Sequence, residues 1–276
     1  MTLYEKMMNL DRRWIYLILG LAVIIPAIIP FTVPVAVTPE VKSIYNFVES
    51  LKPGDYLFLG IDYDPSSMAE LNPMAKAIIA QCFRKDVKII VTALSQNGPG
   101  MAEQILNEMA SQFGKRNHED YCFLGYKPYP GIVILNMGVS FKLTFPNDYY
   151  GVPLDSIPMM TKITNYRDCK GIIDLCAGSV ADMWIGFANG RYGVPLAIGV
   201  TGVMAADYYP YLQSKQIFGI ISGMKGAAEY ETLTGYKTTG IKSMAYQTTS
   251  HIIILLFIII SNIGFFLSGK KEKKKI

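Results

Sequence analysis

YLFLGIDYDPSSMAELNPMAKAIIAQCFRKDVKIIVTAL, residues 56–94, opens on a continuous apolar run, passes through an Asp/Pro/Ser turn and a helical stretch, and closes on a second apolar run. Neither run alternates polar with apolar residues. That is the mark of a strand covered on both faces, as in a parallel sheet. Tyr56–Asp62 and Val87–Leu94 are therefore read as strands and Ser67–Arg84 as the helix joining them. The alternation continues outward through strands at Tyr121–Lys127, Gly171–Cys176, Pro195–Thr201 and Ile217–Ser222. Helical stretches fall at Gly100–Phe113, Ser179–Asn189, Val203–Gln213 and Met224–Leu233.

Strands that alternate with helices predict βαβ units and a parallel sheet. Right-handed crossovers then favour a doubly wound, Rossmann-like α/β domain of six strands in the order 3-2-1-4-5-6. Residues 128–169 interrupt the alternation at its midpoint. Gly131–Phe145 reads as a helix whose apolar face is Val133, Leu135, Met137, Phe141 and Leu143; the remainder, rich in Pro, Gly, Asp and Tyr, reads as an ordered surface loop.

Both ends of the chain have a different character. No charge occurs from Trp14 through Pro39, and Ile252–Leu267 is equally uncharged. A hydrocarbon core about 30 Å thick needs roughly 20 apolar residues in helical form. Residues 14–33 and 250–269 are accordingly read as transmembrane helices flanking a domain at 34–245. Pro26 and Pro30 should kink or end the first helix near Ile25, because proline removes an amide donor. A cleaved signal peptide is the alternative, but the apolar stretch exceeds the roughly 7–15 residues of a signal core.

Charge sets the expected orientation. The whole chain has 26 basic and 22 acidic side chains; residues 1–13 hold three basic against two acidic, and residues 270–276 five against one. Between them 18 basic and 19 acidic residues remain, so the basic excess lies wholly at the ends. Lys and Arg beside spans stay cytoplasmic, which places both tails inside and the central domain on the outer face of a cell membrane. The lysine cluster also suits anionic lipid headgroups. A near-neutral domain lacks the basic surface that nucleic acid requires. The partners expected are the lipid bilayer, with other membrane proteins or a homo-oligomer.

Ligands of doubly wound sheets sit at the carboxyl ends of the strands, where the order reverses. Here that is the junction of the first and fourth strands, followed by Asp62-Tyr63-Asp64-Pro65 and Ala177-Gly178-Ser179. Asp62 and Asp64 could bind a divalent cation or a sugar hydroxyl, although Asp64 equally suits a helix cap. Gly178 and Ser179 leave room for an anion at the next helix, and Thr201 ends the fifth strand on the same edge. Lys225 follows the sixth strand and, four residues from Glu229, can pair with it on one helix face. These six, Asp62, Asp64, Gly178, Ser179, Thr201 and Lys225, are the candidate ligand-binding residues.

Complete catalytic sets are missing from the pattern. The sequence contains neither a G-x-G-x-x-G nor a Walker G-x-x-x-x-G-K-[ST] fingerprint, and no cofactor is assigned. His118 and His251 are the only histidines, too few for a His-rich metal site or a Ser-His-Asp set. A Ser179–Lys225 pair could form a Ser-Lys protease, yet nothing in the spacing brings the two together. Cys82, Cys122, Cys169 and Cys176 form no C-x-x-C, and those in strands suit small buried hydrophobes.

The stretch GVPLAIGVTGVMAADYYPYLQSKQIFGIISGMKGAAEYE, Gly193–Glu231, taken with Gly60-Ile61-Asp62-Tyr63-Asp64-Pro65, resembles a group of uncharacterised prokaryotic membrane-anchored proteins. The resemblance implies one Rossmann-like domain between two spans, and no activity. The resulting expectation is a doubly anchored module that binds a ligand or joins an assembly, with an envelope or lipid-linked enzyme as the alternative.

Overall fold

The computed structural model describes residues 11–29 and 31–272, with side chains described as far as Phe266. The chain divides into two compact units. One is Val35–Ile241; the other comprises the described residues before Val35 and from Lys242 onward.

The larger unit is built on a six-stranded, all-parallel sheet in the order 3-2-1-4-5-6. Its strands are β1 (Tyr56–Asp62), β2 (Lys88–Thr92), β3 (Tyr121–Gly125), β4 (Ile172–Cys176), β5 (Leu196–Val200) and β6 (Gly219–Ser222). β1 has the bounds the sequence assigns to it, and each of the other five lies within its assigned segment and is shorter by one to three residues. The apolar runs mark the strands because both faces are buried, and successive residues alternate between two cores. Leu57, Leu59 and Ile61 of β1 face one core; Tyr56 and Phe58 face the other.

The first core is covered by α2 (Pro39–Ser50), α3 (Met68–Arg84), α4 (Pro99–Phe113) and α10 (Gly223–Thr234). The second lies under α5 (Pro130–Met137), α6 (Phe141–Thr144), α7 (Val180–Met183), a following π-helix (Trp184–Asn189) and α9 (Ala205–Gln213). One short helix, α8 (Gly190–Tyr192), lies between the π-helix and β5. The helix expected over Gly131–Phe145 is thus two helices. Its break falls at Gly138, where an added Cβ would lie 2.3 Å from the Tyr192 ring. The break also turns Leu143 outward, against expectation: Val133, Met137 and Phe141 are buried, whereas Leu143 is 81% exposed.

Helix α10 carries two buried carboxylates that hold the ends of this unit. Glu229 Oε2 accepts from the Thr38 amide at 2.7 Å and the Thr38 hydroxyl at 2.6 Å, while Oε1 accepts from Lys225. Glu231 accepts from the Gly240 and Ile241 amides, both at 2.9 Å, and from the Thr238 hydroxyl. These amides open α11 (Gly240–Glu272), so Glu231 satisfies donors that a helix start leaves bare.

In the smaller unit, α1 (Arg12–Ile28) is a 17-residue helix with Pro26 inside it. The helix passes through Pro26 instead of ending at Ile25, and its last turn is closed by Ile29 N–H to Ile25 O at 2.8 Å. Pro30 and most of both basic tails lie outside the described residues. Helix α11 contains Gly240–Phe266, 27 residues long and apolar enough to cross a membrane. Among the described residues it is the one helix with that length and composition, so the N-terminal span is not shown by the 17-residue α1.

Candidate functional site

The switch point of this sheet lies between β1 and β4, and the second-core face there is polar where the rest is apolar. Register places Thr92, Gly60, Asp174 and Ile198 abreast on β2, β1, β4 and β5; Asp62, Cys176 and Val200 lie one step nearer the carboxyl edge. Three polar side chains, Thr92, Asp62 and Asp174, thus converge around Gly60. A Cβ on Gly60 would lie 2.5 Å from Asp174 Oδ1 and 3.3 Å from Asp62 Oδ2. Glycine supplies the space the two carboxyl groups occupy.

Asp62 is 2% exposed and Asp174 is fully buried. Asp62 Oδ1 accepts from the Leu94 amide at 2.6 Å, and Oδ2 from Trp184 Nε1 at 2.9 Å. The π-helix begins at Trp184, and the indole sits between this carboxylate and the Phe58 ring, whose centroid is 5.1 Å away. Among the described residues no other group donates to either Asp174 oxygen, and the Thr92 hydroxyl is also without a partner. The neighbour of Asp174 is Asp62 itself.

Two buried acids in contact cannot both carry charge without a cation. Burial and the Asp62 charge push the Asp174 carboxyl well above the usual carboxylate range. Burial also raises Asp62, but hydrogen bonds from Trp184, Leu94 and Asp174 oppose it. The consistent state has Asp62 ionised and Asp174 neutral, with the Asp174 O–H as the third donor to Asp62. Chemically this is a buried acid pair in which Asp174 holds its proton above the usual carboxylate range, beneath the sheet's carboxyl edge.

The other sequence-derived candidates do not converge on this pair. Asp64 accepts from the Ser66 amide at 3.0 Å and the Ser66 hydroxyl at 2.6 Å, capping a 3-10 turn. Ser179 is exposed at the start of α7 and makes no side-chain capping bond, while the Gly178 carbonyl accepts from the Cys176 thiol at 3.1 Å. Thr201 is buried, its carbonyl accepting from Met204 N–H at 3.1 Å. Lys225 pairs with Glu229, as its spacing suggests, but only Lys225 is at the surface. On the same edge, Glu70 Oε2 accepts from the Gly202 amide at 2.8 Å, taking a donor that an incoming anion would need.

Asp174, Trp184 and Glu70 escape the sequence reading. A signal for the first exists: Asp174 is the one charge in the run GIIDLC, and a lone acid inside a doubly covered strand needs a partner. All four cysteines are free and buried, and burial raises every thiol, so none is a ready nucleophile. Among the described residues no group of three or more His, Cys, Asp or Glu side chains is placed to hold a metal ion.

These features define an α/β protein with a Rossmann-like parallel sheet and a membrane-length C-terminal helix. The chain matches no protein family, no curated protein and no solved structure.

Proposed function

We propose that this chain is a two-pass membrane protein whose α/β domain acts, without catalysing a reaction, as an assembly or ligand-binding component at the outer face of the cell membrane. In this reading it belongs with the prokaryotic membrane-anchored proteins it resembles. One observation carries the non-enzymatic part: the acid pair is buried, and Asp62 and the Gly202 amide are already engaged by the protein's own groups. Asp62 is held by Leu94 and Trp184, and the Gly202 amide by Glu70. A substrate would have to displace these bonds before meeting a reactive group. The membrane part rests on the apolar length of α11 and on the basic ends. Tethering a folded domain to a bilayer raises its effective concentration for lateral partners.

Purification of the full chain in mild detergent, followed by native mass spectrometry, tests this reading. A stable complex or a co-purifying ligand is the expected result; a strictly monomeric, ligand-free protein overturns it. Proteolysis of intact cells tests the topology, with cleavage inside residues 35–241 expected and protection of that region contradicting it.

A second reading, an enzyme acting on an envelope or lipid-linked substrate, is favoured by the acid pair. Perturbed, coupled carboxyl groups at a switch point are a common feature of active sites. That reading requires Asp62 and Asp174 to become accessible, so labelling of either carboxyl by a water-soluble carbodiimide under native conditions would support it.

A further inference from the structure

Helix α11 carries a polar break in the middle of its apolar length. Ser261 and Asn262 interrupt IIILLFIII and IGFFL. Asn262 lies eight residues before Lys270, about 12 Å along the helix axis at 1.5 Å per residue. That depth is hydrocarbon if α11 spans the bilayer, and lipid offers an amide no hydrogen bond. Asn262 is exposed, and among the described residues nothing bonds its amide.

The surroundings of Asn262 have the form of a helix-packing face. Ile15 and Leu19 of α1 and Ile254, Ile258, Ser261 and Asn262 of α11 line a groove of about 420 Å³. The α11 positions follow i, i+4, i+7 and i+8, one stripe of a helix. The groove runs along α1 and α11, with Ile15 and Leu19 on one wall; its α11 wall is apolar at Ile254, Phe257 and Ile258 and small or polar at Ser261 and Asn262, leaving room for a further helix. Small and amide side chains are what membrane helices use to approach and bond one another.

We propose that α11 pairs through this face with α11 of a second copy of the chain, with the two Asn262 amides hydrogen-bonded to each other. Self-pairing is favoured because a carboxamide is both donor and acceptor. Every copy inserts with the same orientation, so a parallel pair brings Asn262 against Asn262 at equal depth. An unrelated partner would need its own polar group at that level. The proposal rests on the assembly reading and on α11 as a span, and names the residue through which that assembly forms.

The test uses the full chain in phosphatidylcholine vesicles, with donor or acceptor fluorophores on a C-terminal tag, and follows energy transfer as lipid dilutes the protein. Wild-type protein is expected to show transfer that falls on dilution. Asn262→Leu should weaken the association about tenfold, with thermal unfolding of the α/β domain unchanged, and Asn262→Gln should largely retain it. Undiminished transfer in Asn262→Leu overturns this inference while leaving an assembly through other surfaces intact. Absence of transfer in the wild type at every protein density overturns self-association itself. Co-purification of a different protein from detergent would then still support the broader reading.

Discussion

The indole N–H of Trp184 donates to Asp62 Oδ2 at 2.9 Å, joining the end of β1 to the first residue of the π-helix across 122 positions of sequence. The bond is buried and its acceptor carries charge, so it ranks among the stronger side-chain contacts in the domain. Trp184→Phe removes the donor, leaves Asp62 one partner short and opens space beside Phe58. A loss of about 2–4 kcal/mol is expected, read as a lower urea midpoint with an unchanged slope.

Asp174 should set a pH dependence of the opposite sign to an ordinary salt-bridged acid. Its folded-state pKa is raised, so the folded chain keeps a proton that the unfolded chain releases. The stability it contributes is fully present below the usual carboxylate range near pH 4 and is lost as pH rises toward the folded value. Asp174→Asn keeps a donor toward Asp62 and removes this titration. Its urea stability should equal or exceed that of wild type at pH 7 and flatten a slope of up to about 1.4 kcal/mol per pH unit. An unchanged slope above the usual carboxylate range would show that Asp174 is not the neutral partner.

Gly60 is required by space. Its place beneath the two carboxyl groups leaves a methyl only 2.5 Å from Asp174 Oδ1, so Gly60→Ala should cost about 1–3 kcal/mol. Asp174→Ala in the same chain should return part of that loss, because it removes the atom in the way. A double-mutant cycle on thermal stability measures the coupling, and strict additivity would contradict the geometry.

How much of this was legible in the sequence follows from what each signal reports. Continuous apolar runs disclosed all six strands, because strands buried on both faces read that way, and their alternation with helices together with the right-handed crossover rule suggested the order. Helix α2 has no counterpart in the sequence reading, although Pro39 stands at its start and Val41, Ile44 and Val48 form its buried stripe. The i,i+4 spacing of Lys225 and Glu229 disclosed their pairing but not that Glu229 is buried against Thr38, since helical spacing speaks only of neighbours on the same helix. Asp62 was singled out for its place at the end of β1. Its partner on β4 needed the register Gly60↔Asp174, which no local pattern carries.

Glu231 should control the start of α11. Glu231→Gln keeps one acceptor oxygen but presents an NH2 group to an amide, a donor facing a donor. Amide hydrogen exchange at Gly240 and Ile241 should quicken, with a cost of about 1–3 kcal/mol locally. Unchanged exchange at both amides would mean the carboxylate is not what holds them.

The closed switch point is tested most directly by infrared spectroscopy of the full chain in detergent at pH 7, before and after transfer into D2O. A carbonyl band of a protonated carboxylic acid is expected in wild-type protein, slow to shift in D2O and absent in Asp174→Asn. No such band, or one that shifts at once, would mean that the acid pair is ionised or open to water, contradicting a site filled by the protein's own groups.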